Sequence, residues 1–297
     1  MDASVYVRLG MHLLYYGSQQ EKLLHSSRAL KLLEEQSVKM GIQYDAPTSV
    51  DHIQPFIDSF KLADSMYEMV EPDPKKYATF NDFFAREIKE SARPIAEPED
   101  DFVVSSPADC RLTAFPTVDL AKKYWIKGFG FTLARLLDDD DLAQSFEGGS
   151  IIIARLAPQD YHRWHAPVSG TVVGINDVPG AYYTVNPQAI NEPGLMDVFG
   201  ENKRSVMTLK RTSTGSKIAV VAVGAMLVGS IFYMPGLEEE GAQIRRGQCI
   251  GGFKYGGSTV IVVLPKGGEF DLSLNTRVAF IIPSVGGLAL LRRHCPS

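Results

Sequence analysis

The spacing of apolar residues changes near residue 100. Before that point they recur at helical intervals. Val5, Leu9 and Leu13, with Tyr6, Val7 and Leu14 beside them, outline an amphipathic first helix. Leu23, Leu24, Ala29, Leu30, Leu32, Leu33 and Val38 predict a further helix that stops at Gly41. Asp45, Ala46 and Pro47 break the pattern. Ser49 and Asp51 are candidate caps for a segment from Ile53 to Phe60, and residues 79–88 (TFNDFFAREI) predict a short capped helix. Arg93, Pro94, Pro98 and the acidic residues after them mark a linker over 91–101.

Beyond the linker the runs are those of strands. Phe102 to Ser105, Ser150 to Leu156, Gly170 to Ile175, Ser205 to Leu209, Ile218 to Val223 and Thr259 to Leu264 are short, apolar and separated by Gly and Pro. The longest uncharged run, Ile218 to Met234, approaches the lower length of a membrane span. Its Gly224, Gly229 and β-branched residues instead predict two short buried strands joined by a glycine bend. Asp138 to Asp141 reads as a solvated loop or a helix cap. Residues 165–172 (HAPVSGTV) and 241–253 (GAQIRRGQCIGGF) resemble the glycine-turned hairpins of lipoyl- and biotinyl-type β-sandwiches. The expected fold class is therefore α+β: a helical N-terminal segment over 1–95, then a β-rich antiparallel sandwich or barrel with lipoyl-like hairpins over 100–297.

Composition narrows the function classes. With 45% hydrophobic and 22% charged residues, the 297-residue chain has the material for a packed core. Thirty basic against 35 acidic residues leave a net charge of -5, so no basic field exists to attract nucleic acid. Cys110, Cys249 and Cys295 are odd in number and far apart, which indicates neither a disulfide framework nor a paired-cysteine zinc site. Asp2, with no basic start or small-residue cleavage site, predicts no cleaved secretory signal.

Three short constellations suit chemistry. His162 and His165, in residues 161–165 (YHRWH), have His-x-x-His spacing, but no zincin glutamate or third ligand accompanies them, so no metal is expected. Imidazoles with a reference pKa of ~6.5 suit proton transfer better. In residues 256–259 (GGST), Gly257 removes the side chain that would crowd a kinked peptide, so Ser258 is suited to attack its own preceding carbonyl. In residues 106–111 (SPADCR), Asp109 is an ordinary turn residue unless it is buried beside an imidazole. There it would fix the tautomer and stabilise the imidazolium.

Taken in order, residues 106–109 (SPAD), 157–168 (APQDYHRWHAPV), 223–230 (VGAMLVGS) and 253–260 (FKYGGSTV) resemble the phosphatidylserine decarboxylase family, nearest its eukaryotic or fungal branch. Residues 79–86 (TFNDFFAR), 182–187 (YYTVNP) and 197–202 (DVFGEN) resemble it too, so the likeness runs to about residue 265. Ser169 stands where that motif commonly has aspartate, Ala108 and Cys110 replace the bacterial valine and glycine around Asp109, and the sequence after Pro265 leaves the pattern.

The resemblance implies self-cleavage between Gly257 and Ser258, giving a β chain (1–257) and an α chain (258–297). His165, oriented by Asp109, would deprotonate Ser258, whose hydroxyl attacks the Gly257 carbonyl. Elimination and hydrolysis would leave a pyruvoyl group, the implied cofactor, at residue 258. This group would take the amine of phosphatidylserine at a membrane surface as a Schiff base and yield phosphatidylethanolamine and carbon dioxide. His162 is implied in orienting the carboxylate or reprotonating the product carbon. Two alternatives stand beside this: a soluble decarboxylase of a free aromatic amino acid such as tryptophan, and an inactive homologue that binds lipid surfaces. The first helix, with Tyr15 and Tyr16, favours membrane contact and hence the lipid substrate. The branch implies an intracellular protein, cytoplasmic or peripheral on an endomembrane surface, whose partners are the two chains of one precursor, with a homodimer also compatible.

Overall fold

The computed structural model describes residues 26–124, 130–183, 197–225, 230–254, 258–266 and 290–291. The expected first helix, Tyr15, Tyr16, Leu23, Leu24, Gly229, Gly257 and most of the tail after Pro265 lie outside them.

Helix α1 (Ser27–Asp45) runs through Gly41 instead of stopping there. A side chain at Gly41 would meet nothing within 4 Å, and a glycine inside a helix costs only about 1 kcal/mol. The stop comes at Pro47, because a proline disfavours helical geometry in the residue before it. The apolar stripe divides: Leu30 and Leu33 pack inward, whereas Leu32, Val38 and Ile42 are more than half exposed.

A 3-10 turn (Pro47–His52) leads directly into α2 (Ile53–Phe60), so Ser49 and Asp51 do not cap it; the residue before α2, His52, is already helical. Ser49 has a different use. Its hydroxyl donates to the Tyr44 carbonyl (2.9 Å) and accepts from the Phe80 amide (2.8 Å), joining the end of α1 to the start of α3 (Phe80–Phe84). Thr79 caps α3 as expected, accepting from the Asp82 amide at 3.0 Å. Phe80, Phe83 and Phe84 are buried with Ile53, Phe56, Ile57, Leu62 and Met69 in a separate apolar cluster.

Residues 102–105 are not a strand. Phe102 sits in a turn held by Asp100, and the Ser105 amide donates to the Pro167 carbonyl. Strands begin with β1 (Cys110–Phe115), followed by β2 (Ser150–Leu156), β3 (Arg163–His165), β4 (Gly170–Val178), β5 (Arg204–Arg211) and β6 (Lys217–Val223). The remainder are β7 (Ile231–Tyr233), β8 (Gln243–Ile244), β9 (Cys249–Phe253), β10 (Ser258–Leu264) and β11 (Leu290–Leu291). Eight form one antiparallel sheet in the order β11-β1-β2-β10-β6-β5-β4-β8, and three form a second, β3-β9-β7. Even the tail contributes, through the pairing of Leu290 and Leu291 with β1.

Four short helices, α4 (Val118–Tyr124), α5 (Leu133–Leu137), α6 (Asp140–Ser145) and α7 (Val198–Glu201), supply the partners for one face of the large sheet. There Ile151, Ile153, Val221, Ile261 and Val263 meet Leu136, Leu137, Phe146 and Phe199. On the other face Ile152, Ala154, Val260, Val262 and Leu264 meet Trp164, Ile250 and Phe253 of the small sheet. Burial on both faces explains why the central strands read as continuous apolar runs. It also accounts for the uncharged stretch after Ile218, which splits between β6 in the large sheet and β7 in the small one. No helix among the described residues is long and apolar enough to cross a membrane. The acidic run 138–141 closes α5 with Asp138 in the left-handed region and caps α6 with Asp139, which accepts from the Leu142 amide.

The two glycine-turned segments pair with each other, His165 opposite Cys249 and Gly170 opposite Ile244. Gly251 is needed here, because a Cβ would strike the Phe232 carbonyl and the Trp164 ring. Ile261 is fully buried at the centre of β10, so Ile261→Ala should cost about 2–5 kcal/mol of stability. Thr171→Ala, at an exposed side-chain pair with Gln243, should cost below about 0.5 kcal/mol. Chemical unfolding of both variants checks the contrast.

Candidate active site

Side-chain alternation along β10 places Ser258 on the same face as Val260, Val262 and Leu264, toward the small sheet. Ser258 is fully buried and pairs with Leu156 at the end of β2. The chain leaving β2 turns at residues 157–160, where the Asp160 carboxylate accepts from the Ala157 amide at 2.7 Å, and returns as β3. That turn delivers His162 to Ser258.

The His162 imidazole has no exposed surface. Its ring lies 4.0 Å from that of Phe84, centroid to centroid, at 30°. Nε2 is 3.0 Å from the Ala157 carbonyl, and a carbonyl can only accept, so Nε2 carries the proton. Nδ1 is therefore the acceptor, 3.1 Å from the Ser258 hydroxyl. Burial first, and the nearby Arg86 guanidinium second, push the His162 pKa down to about 3. The site thus contains a neutral imidazole of fixed tautomer facing a buried serine.

His165 lies three residues along the chain and points elsewhere. Nδ1 donates to the Gly247 carbonyl at 2.8 Å, and the ring packs on Tyr161 at 5.6 Å. It lines a cavity of about 500 Å³ together with Tyr161, Arg163, Arg93 and Cys249, whose thiol pKa is raised by burial. Asp109 lines a second cavity, of about 530 Å³, with Arg86, Arg93, Ala157 and Asp160. Arg93 and Tyr161 belong to both.

The structure brings together the segments carrying Asp109 and His165, since the His165 amide donates to the Pro107 carbonyl at 2.7 Å. Their side chains do not form the expected hydrogen bond. Asp109 Oδ2 accepts from Arg93 Nε at 2.8 Å, and Arg93 also pairs with Glu68 at 2.9 Å. The Gly247 carbonyl, not Asp109, sets the His165 tautomer. The contact with Ser258 Oγ expected of His165 is made by His162. Gly257 lies outside the described residues. Among the described residues no group of three His, Cys, Asp or Glu side chains is placed to hold a metal ion.

Phe84, Arg86 and Arg93 shape the site and are not singled out by residue type. Arg86 closes the 79–86 motif, but its place just after a capped aromatic turn gives no sign that it points inward. Arg93, beside Pro94, has the look of a linker residue. The usable signal was that residues 79–86 belong to the family likeness together with the histidines.

The family model described as phosphatidylserine decarboxylase matches residues 80–280, beyond the Pro265 limit read from the motifs. Phosphatidylserine decarboxylase proenzyme 3 of Schizosaccharomyces pombe is 44% identical over 272 residues, covering 91% of this chain and 27% of the relative. Proenzyme 2 of Oryza sativa subsp. japonica is 44% identical over 244 residues, covering 82% of this chain and 38% of the relative. The chain therefore spans well under half the length of these relatives. The phosphatidylserine decarboxylase proenzyme of Fusobacterium nucleatum subsp. nucleatum is 36% identical over 253 residues, 85% of this chain and 80% of the relative. On that extent of likeness, with the buried serine and imidazole at the matching motifs, the chain belongs to the phosphatidylserine decarboxylase family.

Proposed function

We propose that this chain is the catalytic part of a self-processing decarboxylase that converts phosphatidylserine to phosphatidylethanolamine and carbon dioxide. The observation that carries the reading is the buried contact between His162 Nδ1 and Ser258 Oγ at the head of β10. That the relatives are named proenzymes supports a precursor that is processed. In the same reading, the cross-paired segments 165–172 and 241–253 are lipoyl-type hairpins of the β-rich region. The helical segment 1–95 and the β-rich region 100–297 are the two working parts, peripheral on an intracellular membrane surface.

The proposed cut falls between Gly257 and Ser258. Ser258 Oγ loses its proton and attacks the Gly257 carbonyl carbon; an ester C–O bond forms, the peptide C–N bond breaks, and the freed amine takes a proton. Loss of the Ser258 Cα proton and of the Gly257 carboxylate gives dehydroalanine, from which one water releases ammonia. The residues fit the pyruvoyl group that results, because the group is made in place at a fully buried strand position already facing an imidazole. Such a group supplies an electrophilic carbonyl that takes the substrate amine and accepts electrons as carbon dioxide leaves.

Two imidazoles divide the proton transfers. His165 is half-buried beside a cavity, and because its Nδ1–H is held by the Gly247 carbonyl, Nε2 is the nitrogen that would act as the base of the cut. Asp109 would support it as a fixed charge on the adjoining segment. His162 is a weak base in its sealed site, and its imidazolium would be a strong acid that gives up a proton readily. That suits proton transfer at Nδ1 during decarboxylation.

Purified protein is expected to run as two chains, residues 1–257 and 258–297, the smaller one blocked to Edman sequencing, and to release carbon dioxide from phosphatidylserine vesicles but not from free tryptophan or serine. An intact chain without carbon dioxide release would sink the reading. Ser258→Ala and His165→Ala should stay uncut on denaturing gels. His162→Ala should be cut but decarboxylate at least about 100-fold more slowly. Normal cutting of His165→Ala with an uncut His162→Ala would transfer the base role to the imidazole already touching Ser258.

A further inference from the structure

Arg86 is only 4% exposed, and no carboxylate among the described residues lies within ion-pairing distance of it. Nη1 donates to the Phe84 carbonyl, and Nη2 to the carbonyls of Gln159 and Asp160, all at a long 3.4 Å. Nε is buried without a hydrogen-bond partner, and the guanidinium carbon sits 5.3 Å from the centroid of the Phe83 ring. A buried charge answered only by distant carbonyls is costly to keep.

The contacts of Arg86 say where that cost is returned. One arm of the guanidinium holds the backbone of Phe84, whose ring covers His162. The other holds the 157–160 turn, whose Ala157 carbonyl accepts the hydrogen bond from His162 Nε2–H. The fork therefore spans both walls of the imidazole slot. We infer that Arg86 is a positioning residue, which holds His162 in the Nε2–H tautomer with Nδ1 aimed at residue 258.

The charge of Arg86 acts in the same sense as its geometry. A second positive charge beside a sealed imidazole disfavours the imidazolium, adding to the effect of burial. His162 meets Phe84, the backbone of Ala157 and Pro158, Ser258 and the charge of Arg86. Arg86 in turn feels Tyr77, Asp109, Tyr161 and Asp160, and burial still lowers its own pKa. Lysine would keep the positive charge but could not span both walls with one planar fork.

The inference rests on the proposed role of His162 only for its effect on turnover, so the first readout avoids activity. In the Ser258→Ala chain, 15N-histidine NMR should show His162 as the neutral Nε2–H tautomer throughout pH 4.5–8. Adding Arg86→Met should raise the His162 midpoint by up to about one pH unit, with burial still holding it below the ordinary imidazole value, and should mix the two tautomers. Unchanged His162 signals in a folded Arg86→Met chain would overturn the inference. Should that chain fail to fold, Arg86→Lys decides: His162 should remain neutral while its tautomers mix, and a wild-type tautomer signal there would overturn the inference. In chains with Ser258 intact, Arg86→Lys should also lower decarboxylation kcat about tenfold with little change in KM. If wild-type protein is neither cut nor active, the functional reading fails while the NMR result still judges Arg86.

Discussion

The register of β10 is the constraint on which the chemistry depends. The strand is held by seven aligned residues against β2 and five against β6, with Ser258 opposite Leu156 and Thr259 opposite Val223. A slip of one residue would turn every side chain to the opposite face, sending Ser258 among the helices and Thr259 toward His162. Such a slip is opposed by two complete apolar layers, since Val260, Val262 and Leu264 fit the small-sheet side while Ile261 and Val263 fit the helical side. The same ladder would hold an α chain after a cut before Ser258, because its pairing does not depend on covalent continuity with β9. Placement of Ser258 and, under the proposed cut, retention of the α chain would thus have one physical source.

Around that strand the site is assembled from distant pieces of sequence. The imidazole comes from the chain between β2 and β3, its aromatic wall and buried cation from the end of α3, and its carbonyl partner from the 157–160 turn. The helical segment is consequently more than an attachment to the β-rich part. Arg163 Nε donates to the Ala85 carbonyl at 2.8 Å, Lys254 pairs with Asp45 at 2.9 Å, and Arg93 joins Glu68 to Asp109. Truncation through residues 80–93 would remove walls of the active site along with surface helices.

Much of this was legible in the sequence wherever a local rule governed. The β2 boundaries agree with their apolar run, Thr79 caps α3, and the serine and histidine motifs meet in space because a family likeness already tied them together. Legibility failed where a stronger breaker or a tertiary contact outvoted the nearest local preference. Gly41 does not stop α1, since Pro47 is the stronger breaker, and Ser49 joins two helices instead of capping one. Phe102 to Ser105 has strand composition but no ladder, whereas β9, rich in glycine, forms one because Trp164 packs against its backbone. The pairing of Asp109 could not be read from its motif, because it depends on Arg93, a residue that looks like linker from sequence alone.

The separation of Asp109 from both histidines changes how the acid-base chemistry must be set. In a Ser-His-Asp arrangement a carboxylate fixes the tautomer and favours the imidazolium. Here main-chain carbonyls, Ala157 for His162 and Gly247 for His165, fix the tautomers, and a carbonyl carries no full charge to stabilise a cation. For His162 the neighbouring charge is positive and the surroundings are dry, so both terms oppose protonation. Its imidazole is therefore built to stay neutral and to hold a proton only in passing. The less buried His165 sits on a different segment, hydrogen-bonded through its amide to the Pro107 carbonyl of the one that carries the Asp109 carboxylate. The neutrality of His162 thus comes from its burial and from the positive charge beside it.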